Sequence, residues 1–245
     1  MPYVNQKMRQ QYLKVLLAGV LFFNLAGISK AAELTLPSCL NEFAPLEIHG
    51  FVDLRGGYRV EDDPYEEDAA MMEARFQAEL YTYTDWVEFK FKGDVWADGI
   101  TEQGESDTRE AWIFLRPLDF LDLKLGRQVL TWGTGDLVFL NDMFPKDWQS
   151  YFIGRDSQYL KAPSDAVKIS FFNDVVNLDL VYTPQFDADR YITGEYISYW
   201  QTSAKRHMGQ DDIIHAHQPD RWFKDDELAI RIYRNISNYE LAFYG

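Results

Sequence analysis

Along Glu73, Arg75, Gln77 and Glu79, and again along Glu88, Lys90, Lys92 and Asp94, polar and mostly charged residues recur at every second position. Side chains at that spacing share one face of an extended chain. The chemistry open to such a face is electrostatic: fixed charges of both signs attract, orient or repel a solute that passes along them. The inward face is expected to take in a wider set, Asp53, Arg55, Arg59, Glu73, Arg75, Glu79, Glu88, Lys90, Lys92, Asp94, Glu110, Arg116, Lys124, Arg127 and Arg231, which we take as candidate pore-lining residues. Most of these are expected to pair across strands and stiffen a wall, leaving a minority to touch solute.

Other chemistries find weaker support. His215 and His217, with Asp211 and Asp212 nearby and His207 upstream, are ligand types for a transition metal, but they follow no metal-binding spacing and fit a solvated loop better. Gly133-Thr134-Gly135 lacks the Lys-Ser/Thr of a phosphate loop and opens no βαβ unit, so it is turn chemistry. Ser150, Ser157, Ser164 and His49 could contribute to a hydrolase triad, yet no nucleophile elbow singles one out. The sequence therefore assigns no catalytic residue, no metal and no cofactor.

The elements that position the charges are strands. In the first hairpin Met72, Ala74, Phe76, Ala78 and Leu80 alternate with the charges, and after Thr84-Asp85 the pattern resumes with Val87, Phe89, Phe91 and Val95. A hairpin with one apolar and one ionic face suits a soluble sandwich, with its charges in water, or a transmembrane barrel, with its charges around a wet lumen. An earlier strand spans Glu47 to Val60, followed by an acidic loop with Pro64. A polar loop is expected over Ala97 to Asp107, then strands over Arg109 to Pro117 and Leu121 to Trp132. In the latter, Arg127 falls in phase with Leu121, Leu123 and Leu125. A charge there near the middle of a bilayer would cost roughly 2–4 kcal/mol, so we expect a β-bulge at Gly126 to turn Arg127 inward, the alternative being a place at the rim.

Gly133 to Ser164 is an aromatic-rich insertion with Pro145 and Pro163, too long for a passive connector and expected to fold back on the strands. Hairpins follow around Asn173-Asp174 and Asn235-Ile236-Ser237-Asn238, separated by a second long loop, Pro184 to Asp226. Long and short connections thus alternate along the chain, as in outer-membrane barrels with tight turns at one end and extended loops at the other, and as a Greek-key sandwich has no reason to do. Nine strands result, an odd number for a bacterial barrel. We therefore expect an incomplete fragment whose edges would be completed by further strands.

Composition is compatible with this. Aromatic residues make up 16% of the 245, with Tyr 15, Phe 17 and Trp 7, and the formal charge is −15. That charge, with a pI near 4.6, excludes nucleic acid as a partner, because phosphate binding requires clustered Lys and Arg. Beyond the N-terminus no apolar run is long enough for a membrane helix. The N-terminus itself, Lys7, Arg9 and Lys14 before the apolar run Val15 to Ile28 and then Ser29-Lys30-Ala31, is laid out as a secretory signal cut after Ala31. Residues 32–46 form an irregular leader. Loss of residues 1–31 removes Lys7, Arg9, Lys14 and Lys30 and no acidic residue, taking the charge from −15 to −19. Cys39 has no cysteine partner, so disulfide and thiolate-zinc frameworks are excluded. Leu36-Pro37-Ser38 ahead of it makes a poor lipid-attachment box.

Gly126-Arg127-Gln128-Val129-Leu130-Thr131-Trp132-Gly133, followed by Asp136, Asn141-Asp142 and Phe144-Pro145-Lys146-Asp147, resembles Gram-negative outer-membrane porin-like β-barrels, the alginate-export type above all, over residues 109–172. The resemblance implies an antiparallel up-and-down transmembrane β-barrel whose long third loop lies in or over the lumen. It implies no particular solute; a dedicated alginate exporter would be expected to have a basic lumen, and the inward charges here are mixed. The sequence reading is an exported, non-enzymatic outer-membrane channel over residues 47–245, with lipid outside and a small hydrophilic solute or ion inside. A secreted carbohydrate-binding β-sandwich and a barrel enzyme acting on lipid or polysaccharide are the alternatives.

Overall fold

Alternating β-branched, aromatic and charged residues with tight turns between them favour strand pairing between sequence neighbours. In the computed structural model, which describes residues 45–133 and 142–245, that is the arrangement. The expected export signal 1–31, most of the expected leader 32–46, and Thr134, Gly135, Asp136 and Asn141 lie outside the described residues.

The strands are β1 (Leu46–Tyr58), β2 (Ala69–Tyr83), β3 (Val87–Asp98), β4 (Gln103–Leu118), β5 (Leu121–Val129), β6 (Pro163–Phe171), β7 (Asn177–Thr183), β8 (Tyr199–Gln201), β9 (Arg206–Met208), β10 (Glu227–Ile236) and β11 (Tyr239–Tyr244). Nine of them make one antiparallel up-and-down sheet in the order β1-β2-β3-β4-β5-β6-β7-β10-β11, and β8 and β9 form a small hairpin inside the 184–226 connection. The large sheet is not closed: β1 and β11 are its edges. Among the described residues no helix is long and apolar enough to cross a membrane. Among the described residues the two helical pieces, α1 (Trp148–Ile153) and a 3-10 turn (Ser157–Tyr159), both lie in the 133–164 insertion.

Two expected features are corrected. Residues 97–107 are not a loop: β3 runs to Asp98 and β4 starts at Gln103, leaving a turn at 99–102. Gln103 to Thr108 carry no apolar alternation, so periodicity missed them, but the ladder to β3 holds them extended, with Asp94 opposite Asp107 and Trp96 opposite Glu105. The long–short alternation is correspondingly less regular than expected. Nor is there a register shift at Gly126, where the ladder to β6 runs unbroken from Leu121–Phe171 to Val129–Pro163. The shift falls in β4 instead, where Glu110 and Thr108 face Lys92 and Gly93, and Arg109 is the extra residue. Gly126 is nonetheless special, with φ +114° and its hydrogen aimed at the Ala111 carbonyl.

The two faces of the sheet are the reverse of a soluble core. Glu73, Arg75, Gln77, Asp94 and Asp179 are buried, while Leu54, Phe76, Val95, Ile113, Leu228 and Phe243, on the opposite face, are exposed, Leu228 at 64% and Phe243 at 67%. Among the described residues no second sheet covers that apolar face. What buries the ionic face is the chain's own insertion. Leu130 and Trp132, leaving β5, join Phe144 in a cluster over Ala166 and Val181, with Ala229 and Tyr244 against its side. Trp132 meets Phe144 edge-on at 4.8 Å and Tyr244 at 5.9 Å.

Candidate functional site: the polar face and its seated insertion

The insertion is built to present side chains downward. Asp147 caps α1 by accepting from the Ser150 amide at 2.7 Å, and Gly154, with φ +79°, ends it. The chain then turns through Asp156 into the 3-10 turn that carries Gln158 and Tyr159. Tyr159, 3% exposed, is wedged between two guanidinium groups, Arg75 at 4.5 Å from its ring and Arg109 at 5.2 Å. Its hydroxyl accepts from Gln77 Nε2 at 3.0 Å. Burial, with the Asp94 carboxylate beside it, pushes that hydroxyl up to about 12, so it stays neutral.

Charge pairs fasten the rest. Arg155 donates to Glu73 at 3.0 Å through Nε, and its Nη2 stands 2.7 Å from the same carboxylate. Glu73 also accepts from Arg75 at 2.8 Å, and Asp94 accepts from Arg75 at 2.9 Å and from Gln77 at 2.7 Å. Arg109 Nη2 donates to the backbone carbonyls of Gln158 at 2.7 Å and Lys161 at 2.8 Å, and Lys92 Nζ donates to Gln158 Oε1 at 2.8 Å. From the second connection Arg190 reaches Asp107 at 2.9 Å and Asp147 at 3.5 Å. These are charge-assisted contacts with little water around them, the setting in which they hold position best.

The expected site residues divide as follows. Asp53 and Arg55 (2.5 Å apart), Glu73, Arg75, Glu79, Glu88, Lys90, Lys92, Asp94, Glu110, Lys124 and Arg231 share the polar face by register. Lys90 stands 3.2 Å from Glu79 and 3.4 Å from Glu110, and Arg231 lies 2.5 Å from Glu240. Arg116 is half exposed by the 119–120 turn, with Asp122 at 3.0 Å. Arg127 shows no phase flip: its backbone stays in phase with Leu125, although its Nη2 also reaches Asp107, 3.8 Å away, which the ladder sets opposite Asp94 on the polar face. It lies opposite Asp165, 3.5 Å away, and donates to the Thr108 carbonyl at 2.7 Å, near the insertion end of β5. That is the rim alternative, and a paired charge there avoids the mid-sheet cost. Arg59 follows the end of β1 and belongs to the loop beyond it.

In that loop Arg59 donates to the Tyr196 carbonyl at 2.5 Å and stands 3.9 Å from Glu66. Ser198 donates to Asp63 at 2.6 Å, and Gln210 N to the Tyr65 carbonyl at 3.1 Å, so loop 59–68 docks on 196–212. The Glu66 side chain is buried there with neither oxygen hydrogen-bonded. Burial pushes its carboxyl up to about 7; Arg59 opposes this, and Asp63 and Asp211 add to it. An acid raised in the folded state favours docking fully below its ordinary value near 4.5, and that contribution is lost as pH rises through about 7. Protection of the Gln210 amide, its exchange rate taken relative to the intrinsic rate at each pH, is therefore expected to fall between those limits in the native protein and to stay level in Glu66→Gln.

The remaining candidates are not drawn together. His207 packs edge-on to Trp200 at 5.3 Å, Asp211 pairs with Arg206 at 2.8 Å, and His215 and His217 are exposed, the latter in a stretch without regular structure. His49 lies beside Glu47 on β1, Ser150 accepts from Arg155, and Ser164 is buried in β6. Sequence reasoning missed Arg109, Arg155, Tyr159 and Arg190. Arg109 was hidden by the bulge that puts it out of phase with Glu110; the other three sit in connections where no periodicity marks a face. Compared with protein-family models and with curated proteins, the chain matches none.

Proposed function

We propose that the chain forms the wall of an outer-membrane β-barrel channel for small hydrophilic solutes or ions, with the 133–164 insertion as the constriction. The observation that supports this is the inversion of the sheet. Fully removing a Leu, Val or Phe side chain from water is worth roughly 1.5–3 kcal/mol, and Leu54, Phe76, Val95, Ile113, Leu228 and Phe243 forgo much of it unless lipid covers them. Lipid outside and water inside is the solvent arrangement that favours both faces at once. The up-and-down order of the strands is the order such a barrel uses. The motif of residues 126–147 that resembles porin-like barrels brackets the start of the insertion, whose described part packs on the polar face through Phe144, Arg155, Gln158 and Tyr159. No reacting group is needed, because the mixed charges discriminate solutes by field and size alone.

The test is swelling of liposomes that carry the folded protein. Isosmotic small sugars and amino acids are expected to enter and swell the vesicles in proportion to protein content, while large dextrans do not. A folded protein that washes off the vesicles without detergent, or that causes no swelling, would overturn the reading.

A further inference from the structure

On the polar face the cationic side chains of the strands are paired almost throughout. Arg55 is held by Asp53, Arg75 by Glu73 and Asp94, Lys90 and Lys92 by Glu79, Arg109 by Asp107, Arg116 by Asp122 and Arg231 by Glu240. Among the described residues Lys124 of β5 and Lys168 of β6 depart from this, each without a carboxylate within 4.0 Å. They are also directly opposite one another in the β5–β6 ladder. Like charges so placed destabilise a sheet, since directly opposed side chains start only about 4.5–5.5 Å apart at Cβ.

The surroundings make this a cradle rather than an accident of register. The Trp112 ring lies 4.0 Å from Lys124 Nζ, and Trp112 is itself buried. The nearby carboxylates make their close contacts elsewhere: Glu110, which attracts Lys124 from beyond 4.0 Å, accepts from Trp112 Nε1 at 2.9 Å and stands 3.4 Å from Lys90, Glu88 accepts from Tyr81 at 2.8 Å, and Asp122 accepts from Arg116 at 3.0 Å. Ala166, next to Lys168 on the same face, lies under Leu130, Trp132 and Phe144, so the two lysines border the seated insertion while remaining partly exposed.

We propose that Lys124 and Lys168, with the Trp112 indole as a flat wall, bind a small oxyanion, a carboxylate or a phosphate, as a station on the polar face. One anion between two ammonium groups replaces a repulsion with two charge-assisted hydrogen bonds. As a station for transported solute it rests on the channel reading; as a binding site it does not.

Two measurements separate those claims. The first is calorimetric titration of the folded full chain in detergent at low salt, with inorganic phosphate in one arm and gluconate in the other. Saturable binding is expected in at least one arm, and which arm binds identifies the anion. Lys124→Gln/Lys168→Gln is expected to bind at least tenfold more weakly with no fall in Tm, and Lys168→Arg to retain binding. A purely structural role would instead lower Tm. Unchanged affinity in the double variant, or no saturable binding of either anion to the native protein, overturns the proposal. The second measurement is the reversal potential in a KCl gradient, expected to move toward cation preference in the double variant. Binding without any conductance would sink the channel reading and leave the station standing; conductance whose reversal potential ignores both lysines would remove the station from the solute's path.

Discussion

Arg109→Met is expected to unseat the insertion and, on the proposed channel function, to widen the passage. The Arg109 side chain is 4% exposed and gives both of its Nη2 bonds, at 2.7 and 2.8 Å, to backbone carbonyls of the 158–161 turn. Methionine fills similar volume but leaves those acceptors without a donor, removes one wall from Tyr159, and takes a counter-charge from Asp107. Hydrogen bonds from a charged group contribute about 1.5–3 kcal/mol each, so a loss of about 3 kcal/mol in seating is the expectation, on the order of a hundredfold in the seated fraction. Two readouts follow. Limited proteolysis should cut within 142–162 where the native protein resists, and liposomes should swell faster because the constriction is displaced. Arg116→Met is the control: Arg116 touches Asp122 and lies far from the insertion, at an exposed turn, so neither readout should change.

The second large effect belongs to Gly126→Ala. At φ +114° an L-residue is strained, and an added Cβ would stand 2.3 Å from the Ala111 carbonyl oxygen and 3.2 Å from Trp112 Cα, both backbone atoms of the neighbouring strand. Neither can swing aside as a side-chain tip would, so β4 and β5 must part locally. Strain of this kind costs of order 1–3 kcal/mol before any ladder bond is lost, and a total near 3 kcal/mol is expected as a lowered urea midpoint in detergent. Gly56→Ala, where an added Cβ meets nothing within 4 Å, should leave the midpoint in place.

Much of the sheet is legible from period two. Glu73, Arg75, Gln77 and Asp94 are buried while Met72, Phe76 and Val95 beside them are exposed, and the hairpin partners follow from the turns at 84–86 and 119–120. Periodicity fails where both faces are polar, as over Gln103 to Thr108, because the signal is a contrast between faces and those residues have none. It fails again at Arg109, where one extra residue changes phase without changing composition. At Arg127 the phase argument offers a bulge or a place at the rim, and the ladder excludes the bulge: the long side chain, near the strand end, reaches Asp165 and Asp107 without any register shift. The insertion was expected to return to the strands, but its anchors were not readable. Arg155 to Glu73 and Arg109 to Gln158 are contacts between segments far apart in sequence, set by the register of three strands at once.

The account stands on lipid at one face and water at the other, and cysteine accessibility measures that most directly. In a Cys39→Ser background, single cysteines at Phe76 and Ile113 on the apolar face and at Lys90 and Lys168 on the polar face would be challenged in liposomes with a membrane-impermeant thiol reagent. Labelling at 90 and 168, with protection at 76 and 113 that disappears when the liposomes are dissolved and the protein is unfolded in denaturant, is the predicted result. Equal and rapid labelling at all four positions in the folded protein would mean water on both faces, and would contradict the channel account.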